Sequence, residues 1–194
     1  MLVAIGGTVF LSCPDKIFGA FLFSTALLCI CFENFSLYTG KVCYFPEKAS
    51  KGYLLELLCC LLGNVYASSF FAFLLKLVHA DLSAVSNAMC SLKLNKTFFQ
   101  SFVDAFFCGI LIYLAVNIYR KNKSFIGILL CIPVFVLCGF EHCVADIFYF
   151  SLSDYSNTVR YAMFILTVIF GNSLGGMFVP FLKKIANWQR FGNW

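Results

Sequence analysis

Charge is what this sequence has least of. Asp, Glu, Lys and Arg make up 12% of its 194 residues, against 61% hydrophobic residues. A soluble domain carries about 25% charged and 45–50% apolar residues. The composition excludes that class and points to an integral membrane protein, in line with a mean hydropathy of +0.89. Clustered basic residues on a soluble face are also missing, which excludes nucleic acid as a partner. The net charge of +5 instead reports how loops are oriented across a bilayer. The first apolar run, residues 1–13, has neither a basic n-region nor an A-x-A site, so it reads as mature membrane sequence and not as a cleaved signal.

Cysteine is plentiful, at eleven residues, but it lacks organisation. No CxxC pair brackets a polar loop, and most of the thiols lie inside apolar runs, where cysteine behaves as a small hydrophobe. Neither a disulfide framework nor a zinc site follows. A membrane enzyme would need a nucleophile–base pair or a metal cluster, and the one candidate is His142 near Cys138 and Cys143. A single histidine with scattered thiols is a poor zinc site, so the sequence calls for no enzyme activity and no cofactor.

What the chain does have is a hydrophobic stretch, residues 135–150, that holds Gly139, Glu141, His142 and Asp146 in its middle. A charged side chain at bilayer depth costs roughly 2.5–3.5 kcal/mol on insertion scales, and such residues face a protein interior or a wet path. This stretch is therefore the candidate functional site. Around it, apolar runs at 1–13, 17–32, 53–78, 97–119, 124–150 and 161–182 predict six helices. The first would rise only about 20 Å, less than a hydrocarbon core of about 30 Å. It is therefore expected to be the shortened remnant of a longer helix. The second is interrupted after residue 32 by Glu33, Asn34, Thr39, Gly40 and Lys41, and the fifth at 139–142. Both read as broken helices, a form tolerated at depth only where protein or a cavity surrounds the break.

The two breaks are related. Cys31, Phe32, Glu33 and Asn34 match Gly139, Phe140, Glu141 and His142 at an offset of 108 residues. The pairs Gly63–Asn64 and Gly171–Asn172, and Gly19 and Gly127, share that offset. An odd number of helices per half turns the second half upside-down relative to the first, which is an inverted repeat with a shared midplane site. The chain thus reads as a single transmembrane domain over 1–194, with repeat one at 1–78 and repeat two at 97–185. Placing the N-terminus inside puts eight basic residues on inner segments and four on outer loops, among them Lys93 and Lys96, so both termini are expected in the cytoplasm. The glycines of the third and sixth helices, and Gly109, read as close-packing positions. Glu141, with its repeat mate Glu33, is expected to take up backbone amides freed at the break.

These residues resemble the formate/nitrite transporters. The match rests on Gly139, Phe140, Glu141 and His142 with Ala145, and on Leu37, Tyr38, Thr39 and Gly40. It also rests on Cys108 with Leu114, Ala115 and Val116, and on Gly171, Asn172, Gly175 and Gly176. The resemblance implies an all-α, aquaporin-like six-helix bundle assembled as a homopentamer in the plasma or inner membrane, with one pore per protomer for small monovalent anions of weak acids. Formate, nitrite, hydrosulfide and lactate are the class. By position, His142 looks like the central pore histidine and Thr39 like its partner on the other break. Lys93 looks like a vestibule lysine, and Phe23, Leu27, Leu37 and Phe135 like the apolar constrictions.

The chain departs from the family pattern at Asp146 and Gly109, where asparagine is frequent, and in its first helix, normally full length. Asp146 lies four residues after His142, so the two share a face if both sit on one helix. Asp146 is then expected to stand beside the imidazole and favour its protonated form. The shortened first helix carries a second reading, a non-conducting membrane assembly subunit.

Overall fold

The computed structural model describes residues 1–155 and 157–191, the last five by backbone alone. Among the described residues there are ten helices and no strand: α1 Leu2–Ser12, α2 Lys16–Phe32, α3 Tyr38–Val42, α4 Phe45–Lys48, α5 Lys51–Val78, α6 Ala80–Leu94, α7 Phe98–Asn122, α8 Ile126–Leu137, α9 Cys143–Leu152 and α10 Thr158–Phe191. Three of these, α5, α7 and α10, are long and apolar enough to cross a membrane alone. The 28 residues of α5 rise about 42 Å.

Local chemistry fixes where the helices begin. Asp15, following Pro14, accepts hydrogen bonds from the amides of Ile17 and Phe18 at 2.8 and 3.1 Å and so caps α2. Ser50 caps α5. Thr97 and Gln100 form a reciprocal capping box on α7, satisfying donors that the first turn leaves unpaired. The stretch 79–96, counted above among outer connections, is largely helical as α6. Its Leu82, Ser83, Ser86, Cys90 and Leu94 are buried, and that packing decides the matter over its polar composition.

The two halves pack alike: α1 lies on α2, and α7 on α8. The short helix α9 docks against α5, α6, α1 and α10, while α3 docks against α10, α7 and α5. Each broken segment is thus held by the long helix of the opposite half as well as by its own. Between α7 and α10 the approach is backbone to backbone. A Cβ at Gly175 would lie 1.9 Å from the Phe106 carbonyl oxygen, and one at Gly109 2.4 Å from that of Asn172. No side chain fits at either place, in accord with the close-packing expectation. Within the protomer a Cβ at Gly63 meets nothing within 4 Å.

The breaks themselves are copies of one turn. After α2, Asn34 takes a left-handed conformation at φ 55°, and the Phe35 amide donates to the Ile30 carbonyl at 2.9 Å. After α8, Gly139 does the same at φ 68°, with Phe140 donating to Phe135 at 3.0 Å. This six-to-one bond closes a helix end in the Schellman manner. Positions 34 and 139, 35 and 140, and 30 and 135 all differ by 105, not 108. The turn therefore corrects the sequence alignment locally by three residues. Glu33 is the exposed C-cap of α2, and Ser36 is the counterpart of Glu141.

Candidate functional site

His142 is the N-cap of α9, with an extended backbone at φ −116° and ψ 111°. Its imidazole folds back so that Nδ1 accepts the Ala145 amide hydrogen at 3.2 Å. Its Nε2 lies 2.9 Å from Oγ1 of Thr39, which comes from the first turn of α3. A ring nitrogen that accepts a backbone N–H carries no proton of its own, so the neutral tautomer here has its hydrogen on Nε2 and donates it to Thr39. The Thr39 hydroxyl keeps its own hydrogen to offer elsewhere. Both side chains are buried, at 4% and 1% exposure.

Each break is clamped by one asparagine from a long helix. Asn172 of α10 accepts the Cys143 amide at 2.9 Å and donates to the carbonyls of Glu141 and Ala105, both at 2.8 Å. Asn64 of α5, at the 108-residue offset, accepts the Tyr38 amide at 2.9 Å and donates to the Ser36 carbonyl at 3.2 Å. Backbone polar groups at depth must be satisfied within the protein, and these two asparagines satisfy them at equivalent places. The sequence signal for them is the Gly–Asn pair repeated at an offset of 108, which marks the repeat without giving the asparagines this role.

Two cavities flank the Thr39–His142 pair. The first, of about 280 Å³, is lined by Phe23, Phe135, His142, Lys93, Lys96, Glu141, Asp146 and Tyr149, among others. The second, of about 370 Å³, is lined by Leu27, Leu37, Gly40, Val116, Lys41, Arg120 and Lys123, among others. The four apolar residues singled out from sequence thus divide in pairs, Phe23 and Phe135 on the first cavity and Leu27 and Leu37 on the second. All four are 5% exposed or less. Phe135 stacks on the His142 ring with centroids 5.8 Å apart and meets Phe23 edge-on at 6.2 Å.

The charged residues are arranged differently from the sequence expectation. Asp146 does not turn to His142. Its Oδ1 lies 2.9 Å from the Lys93 ammonium. The shared-face argument requires both residues to be helical, and His142 as an extended N-cap is not. Glu141 does not collect freed amides either. Its carboxylate is shared between Lys93, on Oε2, and Lys96, on Oε1 at 2.7 Å. Lys96 also pairs with Asp104 at 2.7 Å and donates to the Gly139 carbonyl at 2.9 Å. Lys96 and Asp104 are site residues that the sequence reading missed. Lys96 stands three positions after Lys93, just past the C-cap of α6, and that spacing was the available signal. Among the residues described, no group of three or more His, Cys, Asp or Glu could hold a metal.

The sequence model of the family described as formate/nitrite transporter matches residues 1–185. A solved structure of an "FNT family ion channel" is similar in fold, with TM-score 0.78 and 22% identity over 91% of this chain and 80% of the other. A "Pentameric formate channel with formate bound" is also similar, with TM-score 0.73 and 20% identity over 98% of this chain and 92% of the other. No curated protein matches by sequence. The fold is thus the all-helical, aquaporin-like bundle of those channels, with its second and fifth helices broken.

Proposed function

The chain belongs to the formate/nitrite transporter family, and on that premise we propose that it passes small monovalent weak-acid anions, of the formate, nitrite, hydrosulfide or lactate class, across a membrane. The route runs from one cavity to the other past His142, with the anion crossing together with a proton or as its acid. The observation that carries the reading is the buried Thr39–His142 pair, set between two cavities that hold cationic side chains and are bounded by Phe23, Phe135, Leu27 and Leu37. Desolvating a carboxylate-sized charge at such a constriction is costly, and pairing it with a proton removes most of that cost. Lysines at the first cavity draw the anion in, and a polar pair in an apolar neck gives it hydrogen-bonding partners.

A homopentamer with one pore per protomer, set in the plasma or inner membrane with both termini cytoplasmic, completes the proposal. It is supported by the pentameric assembly of the similar formate channel and by the excess of basic residues on inner segments. The test is uptake of formate, nitrite, hydrosulfide and lactate into proteoliposomes at about pH 5.5 and 7.5, with His142→Ala beside the parent. Saturating, acid-stimulated flux that the variant alters is the expected result. A folded pentamer that passes none of the four anions overturns the channel reading in favour of an assembly subunit.

A further inference from the structure

The ion-pair cluster at the first cavity has an uneven count of charges. Two ammonium groups, Lys93 and Lys96, pair with three carboxylates: Glu141 and Asp146 in the cavity wall, and Asp104, outside that wall, on Lys96. Glu141 has a lysine on each oxygen, and Asp104 has Lys96. Asp146 has a share of Lys93 on Oδ1, while its Oδ2 is buried and without a hydrogen-bond partner among the described residues. Its side chain is 1% exposed and belongs to the wall of the same cavity as His142.

An ionised carboxylate accepts at both oxygens, and burying one of them bare forfeits its solvation. The groups around Asp146 do not supply the missing partner. From α6 come Lys93 and Cys90, and from the break Glu141 and His142. Cys143 and Tyr149 come from α9, Cys108 from α7, Tyr161 from α10, and Lys96 lies beyond Glu141. Lys93 is the one cation that touches Asp146 among the described residues, and it is shared with Glu141. A proton on Oδ2 would bring the cluster to two cations and two anions. His142 is poorly placed to be the proton source for this cavity, because Nδ1 is occupied as an acceptor for Ala145 and Nε2 faces Thr39.

We propose that Asp146 holds a proton on Oδ2 and delivers it to the weak-acid anion that arrives in this cavity, so that the neutral acid forms there and continues past His142. This rests on the anion-channel reading above. In the step, the Oδ2–H bond breaks and a bond forms from that hydrogen to an oxygen or sulfur of the anion. The electron pair of the broken bond stays on Asp146, which becomes a carboxylate beside Lys93. A proton from water on the same side of the membrane restores it. The total charge in the cavity is the same before and after transfer, since one negative charge moves from the anion to Asp146. Each turnover carries one proton with one anion.

The experiment uses the full chain in proteoliposomes loaded with a pH-sensitive dye, comparing the parent with Asp146→Asn and Asp146→Glu for formate uptake from about pH 5.5 to 7.5. Infrared spectra of the same samples report a protonated carboxylic acid as a C=O band that shifts in D₂O. The expected results are one proton per formate and a band absent from Asp146→Asn. Uptake by Asp146→Asn near pH 7.5 should fall about tenfold or more, as for loss of a general acid, with substantial recovery in Asp146→Glu. An Asp146→Asn protein with the parent's uptake, proton count and pH profile overturns the proposal and leaves the channel reading standing. Should Asp146→Asn fail to fold, the parent decides: a band that titrates over the pH range of uptake supports the transfer, and its absence near pH 6.5 overturns it. A parent that passes none of the four anions overturns the channel reading, and this proposal with it.

Discussion

Thr39 Oγ1 and His142 Nε2 meet at 2.9 Å although 103 positions separate them in the chain. Each residue stands at the start of a short helix that follows a break, and each break closes with the same left-handed turn. The pair is therefore one of the places where the two halves of the molecule touch through polar atoms, along with Tyr38 and Ser173, and Ser69 and Ser151. Replacing Thr39 with Val keeps the shape and removes the hydroxyl, leaving the Nε2 hydrogen buried without an acceptor. Such an orphaned donor costs about 1–3 kcal/mol. Thr39→Val is expected to lower both thermal stability and formate flux, and Thr39→Ser to keep most of each. Melting curves in detergent beside uptake rates check this.

The cap that His142 makes on α9 can be separated from any role in flux. Asn is a good N-cap residue and Ala a poor one, a difference of about 0.5–2 kcal/mol. His142→Asn is expected to unfold near the parent's temperature and His142→Ala below it, with flux altered in both. Equal melting temperatures for the two variants would count against the cap.

Asn172 holds three backbone groups at the second break, and Asn64 holds two at the first. Asn172 is 1% exposed, whereas Asn64 is half-buried. Each group left unpaired in the interior costs about 1–3 kcal/mol, and water relieves part of that at the more open site. Asn172→Ala is thus expected to destabilise the protein more than Asn64→Ala. Thermal unfolding of the two single variants settles the order.

Glycine substitutions should separate just as clearly. A methyl at Gly175 would collide with the Phe106 backbone at 1.9 Å, so Gly175→Ala is expected to force α7 and α10 apart and abolish folded protein. Gly63→Ala meets nothing within 4 Å and gains about 0.8–1.0 kcal/mol of helix propensity. It is expected to be neutral or stabilising within the protomer. Yield of folded protein on size-exclusion chromatography reads both.

The connection between α9 and α10 supplies a pH test. Hydrogen bonds from Lys76, Asn87 and Ser83 hold the Asp154 carboxyl down from 3.8 to about 2. A depressed value means that the folded form favours the ionised carboxylate. The stabilisation is fully present above about pH 4 and is lost as the pH falls toward 2. Asp154→Asn should therefore melt below the parent near neutral pH, with the gap closing over that acid range. A gap that stays constant from pH 5 to 2 contradicts the assignment.

The sequence by itself determined the membrane class, the two broken helices, the duplicated halves and the family. These follow from composition, from polar residues inside apolar runs and from motifs a few residues long, all of which are local. It also brought Thr39 and His142 forward together, because the family resemblance carries them as partners.

Only the tertiary structure decided how the charges pair. Whether Asp146 meets His142 or Lys93 turns on one residue's backbone, since an extended N-cap folds its ring onto the Ala145 amide at the helix end and not along the face that carries Asp146. Lys96 reaches Glu141 because α6 is a packed helix and not a polar connection, and burial of one face fixed that where composition misled. The breaks run in a register of 105 while Asn64 and Asn172 keep 108, a shift that identical letters cannot show because left-handed turns and hydrogen bonds set it. Contacts between segments some 40 to 100 residues apart depend on how helices dock, and the chain's local pattern does not encode that.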